Sequence, residues 1–319
     1  MNSNIFIIVS ASAIFYGTPL FFAALGGIFT ERSGVLNLGV EGTMLIGAVA
    51  GAWGSQHVGG SSWMTITMAI VIGMAAGGLL STLLAFLCIT LKVNQTVAGL
   101  AVTIFAGAVG LSSYFAKIWG VSESPVTRQI RKFDVLGLAD TPILGPIIFN
   151  QNILTYLSWV LCVASSVYLF RSKLGLHLRA VGESPSTADA MGINVTRYRY
   201  IHTIFGGALA GVGGVFYSLA IVPNWVDGMT SGAGWIAIAL VIFGFWRPSL
   251  ALLGAYLFGA LQSLGSTLKA RNVQISGDLL DALPFFMTIV VLVLVSSRFA
   301  HRKLGAPAAL GVPYEREER

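Results

Sequence analysis

The 319 residues are 55% hydrophobic and only 10% charged, with a mean hydropathy of +0.80. A soluble domain carries about 25% charged residues, so this composition describes an integral membrane protein with little left over for a soluble domain. The net charge of +6 and pI near 9.5 do not mark a nucleic-acid-binding face, because the basic residues sit in short loops between apolar runs, where they set topology.

The opening MNSNIFIIVSASAIF holds no Lys or Arg, and the first basic residue is Arg32. A cleaved signal peptide needs a positive n-region, so the first apolar run reads as an uncleaved span. Nine spans are expected, over residues 5–29, 34–54, 63–91, 95–117, 150–171, 201–222, 233–246, 249–268 and 281–297. The predicted fold class is an all-α integral membrane protein of about nine transmembrane helices, some of them short or broken. With the N-terminus outside and the C-terminus inside, the inner side holds Arg32, Lys92, Arg171, Lys173, Arg179, Arg197, Arg199, Arg247, Arg298, Arg302, Lys303, Arg316 and Arg319. The outer side holds Lys117, Arg128, Arg131, Lys132, Lys269 and Arg271, giving 13 against 6 of the 19 basic residues and satisfying the positive-inside rule.

The second span contains the most unusual stretch, TERSGVLNLGVEGTMLIGA from Thr30 to Ala48. Asn37 and Glu41 lie four apart, on one face of a helix. Gly34, Gly39, Gly42 and Gly47 weaken that helix. An acidic side chain deep in lipid costs ~2.5–3.5 kcal/mol on insertion scales, and an interrupted helix leaves backbone groups that only protein or a water-filled cavity satisfies. Asn37 and Glu41 line a polar substrate path, or Glu41 instead ties down a neighbouring helix end together with Arg32.

Small-residue pairs four apart recur at Gly47/Gly51, Gly73/Gly77 and Gly207/Gly211 and suit close helix contact in lipid. The fourth span opens KVNQTVAGLAVTIFAG, where Asn94, Gln95, Thr96 and Thr103 are polar. Asn94 reads either as a helix cap or as a substrate contact, and Thr96 belongs with it as a path candidate. The loop 118–149, with Pro125, Pro142 and Pro146, falls outside. Cys88 and Cys162 lie in apolar runs as small packing residues.

The loop 172–200 falls inside. Within it, Ser184 suits an N-cap, Pro185 the first turn and Gly192 the C-cap. These predict a two-turn stub helix outside the membrane, exposing Thr187, Ala188 and Met191. The stub is either an ordinary structured loop or an element that passes force from a partner. Segment Ser231–Trp246 is short for a span and opens Ser-Gly, as Ser33-Gly34 does in the first half. Short glycine-interrupted segments at matching places in two halves mark an inverted repeat. Trp225 and Trp235 read as interfacial anchors or as a surface for a ring-shaped substrate. The tail 301–319 is charged and expected to be disordered.

No Gly-Lys dipeptide occurs, so a Walker A loop is missing. The four histidines are scattered, and no metal-ligating or hydrolytic constellation appears. The six aspartates fall in loops or at span ends, which disfavours ion-coupled transport and points to energy from another subunit.

Four stretches carry a family resemblance: Thr18–Ala48, Val93–Gly110, Leu174–Tyr200 and Gly232–Pro248. Together they make the chain resemble the permease subunits of bacterial ABC importers for simple sugars, branched-chain amino acids and nucleosides. It looks most like the smaller permease of nucleoside (guanosine-type) systems. In that family the cytoplasmic loop usually reads Gly-Glu-Asn-Pro; here it is Gly182-Glu183-Ser184-Pro185, which keeps a capping residue. The resemblance implies a transport subunit for nucleosides in the bacterial inner membrane, with residues 1–300 as the permease domain and 301–319 as a cytoplasmic tail. It implies a partner ATPase that binds ATP and Mg, a second permease subunit in a heterodimer, and an external substrate-binding lipoprotein. No cofactor or metal is expected on this chain. Coupling to the ATPase would fall on Gly182, Glu183, Ser184, Pro185, Ala188, Met191 and Gly192, and the substrate path on Asn37, Glu41, Asn94, Thr96 and Trp235. A sugar or branched-chain amino acid remains an alternative solute, and an ATP-independent carrier or channel is the rival class.

Overall fold

The computed structural model describes residues 4–121, 128–135, 137–270, 276–295 and 305–315. The helices are α1 (Asn4–Arg32), α2 (Val40–His57), α3 (Ser62–Ala85), α4 (Gln95–Ala106), α5 (Leu111–Ile118), α6 (Ile153–Arg171), α7 (Lys173–Glu183), α8 (Pro185–Ala190), α9 (Val195–Phe216), α10 (Ala233–Phe243), α11 (Pro248–Ala270) and α12 (Gly277–Val295). Single π-helical turns, Phe86–Thr90 and Tyr217–Ile221, continue α3 and α9.

Six helical stretches among the described residues are long and apolar enough to cross a membrane: Phe6–Arg32, Ser62–Thr90, Gln95–Ile118, Ile153–Arg171, Val195–Ile221 and Pro248–Lys269. The protein is an all-helical, multi-pass membrane protein. α2 is outside this set for a physical reason. Fifteen of its 18 residues are buried, so it meets protein on nearly every side and has no need of lipid-matching hydropathy. α10 has 11 residues, or about 16 Å at 1.5 Å per residue, too short to cross the ~30 Å hydrocarbon core.

Side-chain oxygens start many of these helices. Ser61, Asn94, Asn152, Ser172 and Asn194 cap α3, α4, α6, α7 and α9 by accepting from backbone N–H groups in the first turn. The interior is built on small residues. A Cβ on Gly47 would strike the Gly211 carbonyl, and one on Gly77 would lie 2.5 Å from the Gly207 carbonyl. The small-residue pairs of the sequence therefore meet one another, bringing α2, α3 and α9 to backbone contact. Trp63, Met68, Leu79 and Leu83 on α3 point outward, as a lipid-facing surface does.

A short antiparallel pair, β1 (Lys132–Asp134) with β2 (Asn150–Asn152), ties the loop 118–149 to the start of the fifth predicted span, with Lys132 opposite Asn152. Three expectations need correction. Residues 172–200 hold α7 and the start of α9 as well as the stub α8; eleven residues of α7 alternate apolar and polar groups over a half-buried surface. Trp225 is no interfacial anchor. It is buried, and its indole Nε1 donates to Asp227 Oδ1 at 3.1 Å. The tail is not disordered throughout, because residues 305–315 pack against the α7–α8 end of the bundle. There the Ala309 N–H donates to the Gly182 carbonyl at 2.9 Å and the Ala308 N–H to Glu183 Oε2 at 3.2 Å. The centre of the outer loop with Pro125, the end of the ninth predicted span, Arg271, Arg298, and the tail residues 301–304 and 316–319 lie outside the described residues.

Candidate functional site

Residues 33–39 are unwound between α1 and α2, and much of their polar backbone is held by other parts of the fold. The Leu36 N–H donates to Gln95 Oε1 at 2.6 Å, and the Leu38 carbonyl accepts from Thr103 Oγ1 at 2.7 Å. The Ser33 carbonyl accepts from Arg199 Nε at 3.2 Å, and the Gly34 carbonyl from the Gly311 N–H at 3.4 Å. Asn37 is buried and folds back on its own loop, with Oδ1 accepting from the Gly39 N–H at 3.0 Å. A corner satisfied in this way can sit at membrane depth without exposing backbone to lipid.

This corner grips α10 at both ends. At the start of α10, Glu41 Oε1 accepts from the Thr230 hydroxyl at 2.6 Å and the Gly232 N–H at 3.0 Å, while Oε2 accepts from the Gly234 N–H at 2.6 Å. At its end, the Trp246 indole donates to Glu31 Oε2 at 2.7 Å, and Arg32 donates to the carbonyls of Phe245 and Trp246 at 3.3–3.4 Å. A third branch of the Arg32 guanidinium donates to the Gly305 carbonyl at 3.2 Å. Both ends of α10 run through left-handed backbone, with φ of +46° at Ser231, +50° at Phe245 and +53° at Trp246. Non-glycine residues hold such angles only where the surroundings fix them. Gly234 leaves the room this grip requires, since a Cβ there would lie 2.5 Å from the Glu41 Cα. Glu41 thus meets a neighbouring helix end, while Arg32 meets the opposite end of the same helix and not Glu41.

The remaining path candidates are not brought together. Asn94 and Thr96 are exposed at the start of α4, where Asn94 Oδ1 accepts from the Thr96 and Val97 N–H groups at 3.0 and 3.2 Å. Trp235 lies exposed on α10, directly after Gly234, whose N–H Glu41 holds. A cavity of about 410 Å³ opens on the other side of the α10 start, between α1, α9, α11 and α12, with Tyr217, Ser231, Phe258, Gln262 and Phe285 in its wall.

At the opposite end of α10, α7 and α8 form a compact unit. α8 ends in a paired turn: the Gly192 N–H donates to the Asp189 carbonyl at 2.9 Å and the Ile193 N–H to the Ala188 carbonyl at 3.0 Å, with Gly192 at φ +82°. This is the glycine-dependent helix stop expected there. Pro185 opens α8, and Ser184 Oγ meets Thr187 Oγ1 at 2.7 Å. Ala188 is not on the exposed face; it is buried with Val181 and Val195. Gly182 is buried too, because a Cβ there would strike the Arg32 carbonyl oxygen. Met191 is 79% exposed, and Thr187 and Glu183 are also at the surface.

A family model described as the permease component of branched-chain amino acid transport systems matches residues 9–292. The chain belongs to this family. The permease is 37% identical over 324 aligned positions to the guanosine ABC transporter permease protein NupQ of Bacillus subtilis, covering 98% of each chain. It is 35% identical over 312 positions to the nucleoside ABC transporter permease protein NupC of Lactococcus lactis, covering 96% of each. It is also 39% identical over 320 positions to a Haloferax volcanii protein provisionally named a glucose ABC transporter permease, covering 94% of this chain and 95% of that one. No solved structure matches the chain significantly. The protein is thus an ABC transporter permease subunit, a transport protein and not an enzyme.

Several residues central to this permease escape sequence reasoning. Gln95 and Thr103, not Asn94 and Thr96, carry the inward polar face of α4. Arg199 is 1% exposed and joins the Ser33 carbonyl to the Val312 carbonyl, 3.3 Å from its Nη1. The available signal is a charged residue in the second turn of a long apolar helix, which the positive-inside rule explains equally well.

Proposed function

We propose that this permease admits nucleosides across a bacterial inner membrane by alternating access, driven by ATP hydrolysis on a partner ATPase. In this reading the N-terminus lies outside, the C-terminus and the 172–200 unit lie in the cytoplasm, and the helices supply about nine spans. The unwound corner with α2 and the short α10 form the two halves of an inverted repeat around the path. ATP and Mg belong to the ATPase, which docks at the α7–α8 unit; a second permease subunit completes the path, and an external lipoprotein delivers the solute.

The observation that carries the reading is the grip of the α1–α2 corner on both ends of α10. Half-length helices held by fixed backbone contacts are the elements from which transporters build a gated site near the midplane. The basic residues Arg32, Arg179 and Arg247 gather with the 305–315 segment at the α7–α8 end, which supports placing that end in the cytoplasm. Nucleoside over sugar is supported by the two nucleoside relatives at 35% and 37% identity; the 39% relative favours glucose as the second reading.

The test is reconstitution of this chain with its ATPase, second permease and binding protein in proteoliposomes. ATP-dependent uptake of radiolabelled guanosine, competed by inosine and not by glucose or leucine, is the expected result. Guanosine uptake by the chain alone without ATP would establish the carrier instead.

A further inference from the structure

We propose that the cavity beside the start of α10 is the solute's station in the membrane and that it selects an uncharged heterocycle with a polar edge. This rests on the permease reading above and adds the recognising groups.

The cavity volume of about 410 Å³ falls within the usual small-molecule range of ~300–1,000 Å³. No Lys, Arg, His, Asp or Glu is among its 14 lining residues. Glu41 stands behind the wall with its two oxygens taken by three donors, so its negative charge opposes a phosphate and its oxygens hold no open place for an ammonium. An amino-acid zwitterion or a nucleotide phosphate would enter without a counter-charge, which a low-dielectric site opposes. Two faces remain. One is apolar and aromatic, with Phe258 and Phe285; the Phe285 ring passes so close to Gly232 that a Cβ there would lie 3.2 Å from it. The other is polar and uncommitted. The Tyr217 hydroxyl and the Gln262 carboxamide have no hydrogen-bond partner among the described residues, although Tyr217 is only 4% exposed.

A carboxamide offers donors and an acceptor side by side, the pattern that matches the edge of a purine or pyrimidine. A hexose would bring five hydroxyls to a wall where Thr230 is already committed to Glu41, Ser231 Oγ donates to the Gly228 carbonyl at 3.4 Å, and Tyr217 and Gln262 remain. Ten of the 14 lining residues are apolar, so a hexose would leave most of its hydroxyls without partners. A nucleoside instead sets a flat base against the aromatic wall, which gathers its polar groups at the base edge and the ribose and leaves an apolar face for the apolar lining.

The experiment uses the complete reconstituted transporter and [³H]guanosine. Tyr217→Phe and Gln262→Leu keep shape, and each should raise the KM for guanosine about three- to tenfold, as expected for one lost neutral hydrogen bond. Matched size-exclusion profiles and melting temperatures show that the variants fold. As a direct readout, Ser231→Cys places a thiol in the cavity wall while Cys88 and Cys162 stay buried. Guanosine should protect that position from a maleimide, and guanosine monophosphate and leucine should not. Unchanged KM in both variants together with no protection overturns the cavity as the station while leaving the importer intact. Absence of ATP-driven uptake in the unaltered complex instead overturns the importer reading, and glucose-only uptake overturns the heterocycle.

Discussion

Glu41 and Arg32 hold opposite ends of the same eleven-residue helix. The carboxylate meets the free N–H groups at the start of α10, and the guanidinium meets the carbonyls just past its end. Each charge therefore complements the partial charge of the helix terminus it touches. Because both residues belong to the α1–α2 corner, movement of that corner carries α10 with it, and the cavity wall moves too.

Glu41→Ala leaves the N–H groups of Gly232 and Gly234 and the Thr230 hydroxyl without an acceptor. Stranded buried donors cost ~1–3 kcal/mol each, so a loss on the order of 3 kcal/mol is expected. Glu41→Gln keeps one acceptor oxygen and turns an NH₂ group toward a donor, giving an intermediate loss. Thermal unfolding in detergent should rank native above Gln above Ala. An Ala variant as stable as the native chain would show that the grip contributes nothing.

Arg32→Lys tests the other end. A lysine ammonium has three donors but no planar fork, and it cannot serve Trp246, Phe245 and Gly305 together. Loss of the Gly305 bond should loosen residues 305–315 from the α7–α8 unit. Amide hydrogens of residues 305–315 should then exchange faster than in the native protein, as read by hydrogen–deuterium exchange. Unchanged exchange would mean that the segment is held by its other bonds, to Gly34, Lys92, Gly182, Glu183 and Arg199.

The sequence discloses this architecture unevenly, and the reason is physical. Apolar length reveals the spans, and Gly192 announces its helix stop because a left-handed residue has few other solutions. The glycine pairs reveal that helices touch, but not that Gly77 meets Gly207 or that Gly47 meets Gly211. Periodicity says which residues share a face, never which neighbour that face meets. For that reason Asn94 and Gln95 look alike in the chain, although one caps a surface turn and the other holds the Leu36 N–H in the core. The α7 helix is hidden because a half-buried polar helix has no long apolar signal, and the C-terminal strap because nearly all its bonds are made by its own backbone, whatever its side chains.

The meeting of Gly77 and Gly207 makes its own prediction. Gly77→Ala puts a Cβ 2.5 Å from the Gly207 carbonyl and 2.9 Å from the Gly211 Cα, and backbone on both sides cannot step aside as a flexible side chain would. Overpacking of this kind costs ~1–3 kcal/mol, enough to reduce the yield of monodisperse protein. Gly59→Ala is the control, with nothing within 4 Å of the added carbon, and should behave as native. Equal yields for the two variants would contradict the close packing of α3 on α9.

With the ATPase docked at the α7–α8 unit as proposed, substitutions there separate docking from folding. Met191 is 79% exposed and Ala188 is 3% exposed, three residues apart on the same stub. Met191→Asp changes surface chemistry without touching the buried cluster, so the permease should keep its melting temperature while losing most of its co-purifying ATPase. Ala188→Asp buries a carboxylate among Val181 and Val195 and should lower the melting temperature as well. Gly192→Asp falls between them, since a non-glycine residue at φ +82° adds about 1 kcal/mol of strain and a charge at the helix stop. Co-purification measured beside thermal unfolding distinguishes these cases. If Met191→Asp leaves ATPase binding and nucleoside uptake unchanged, the exposed side of α8 is not the docking face.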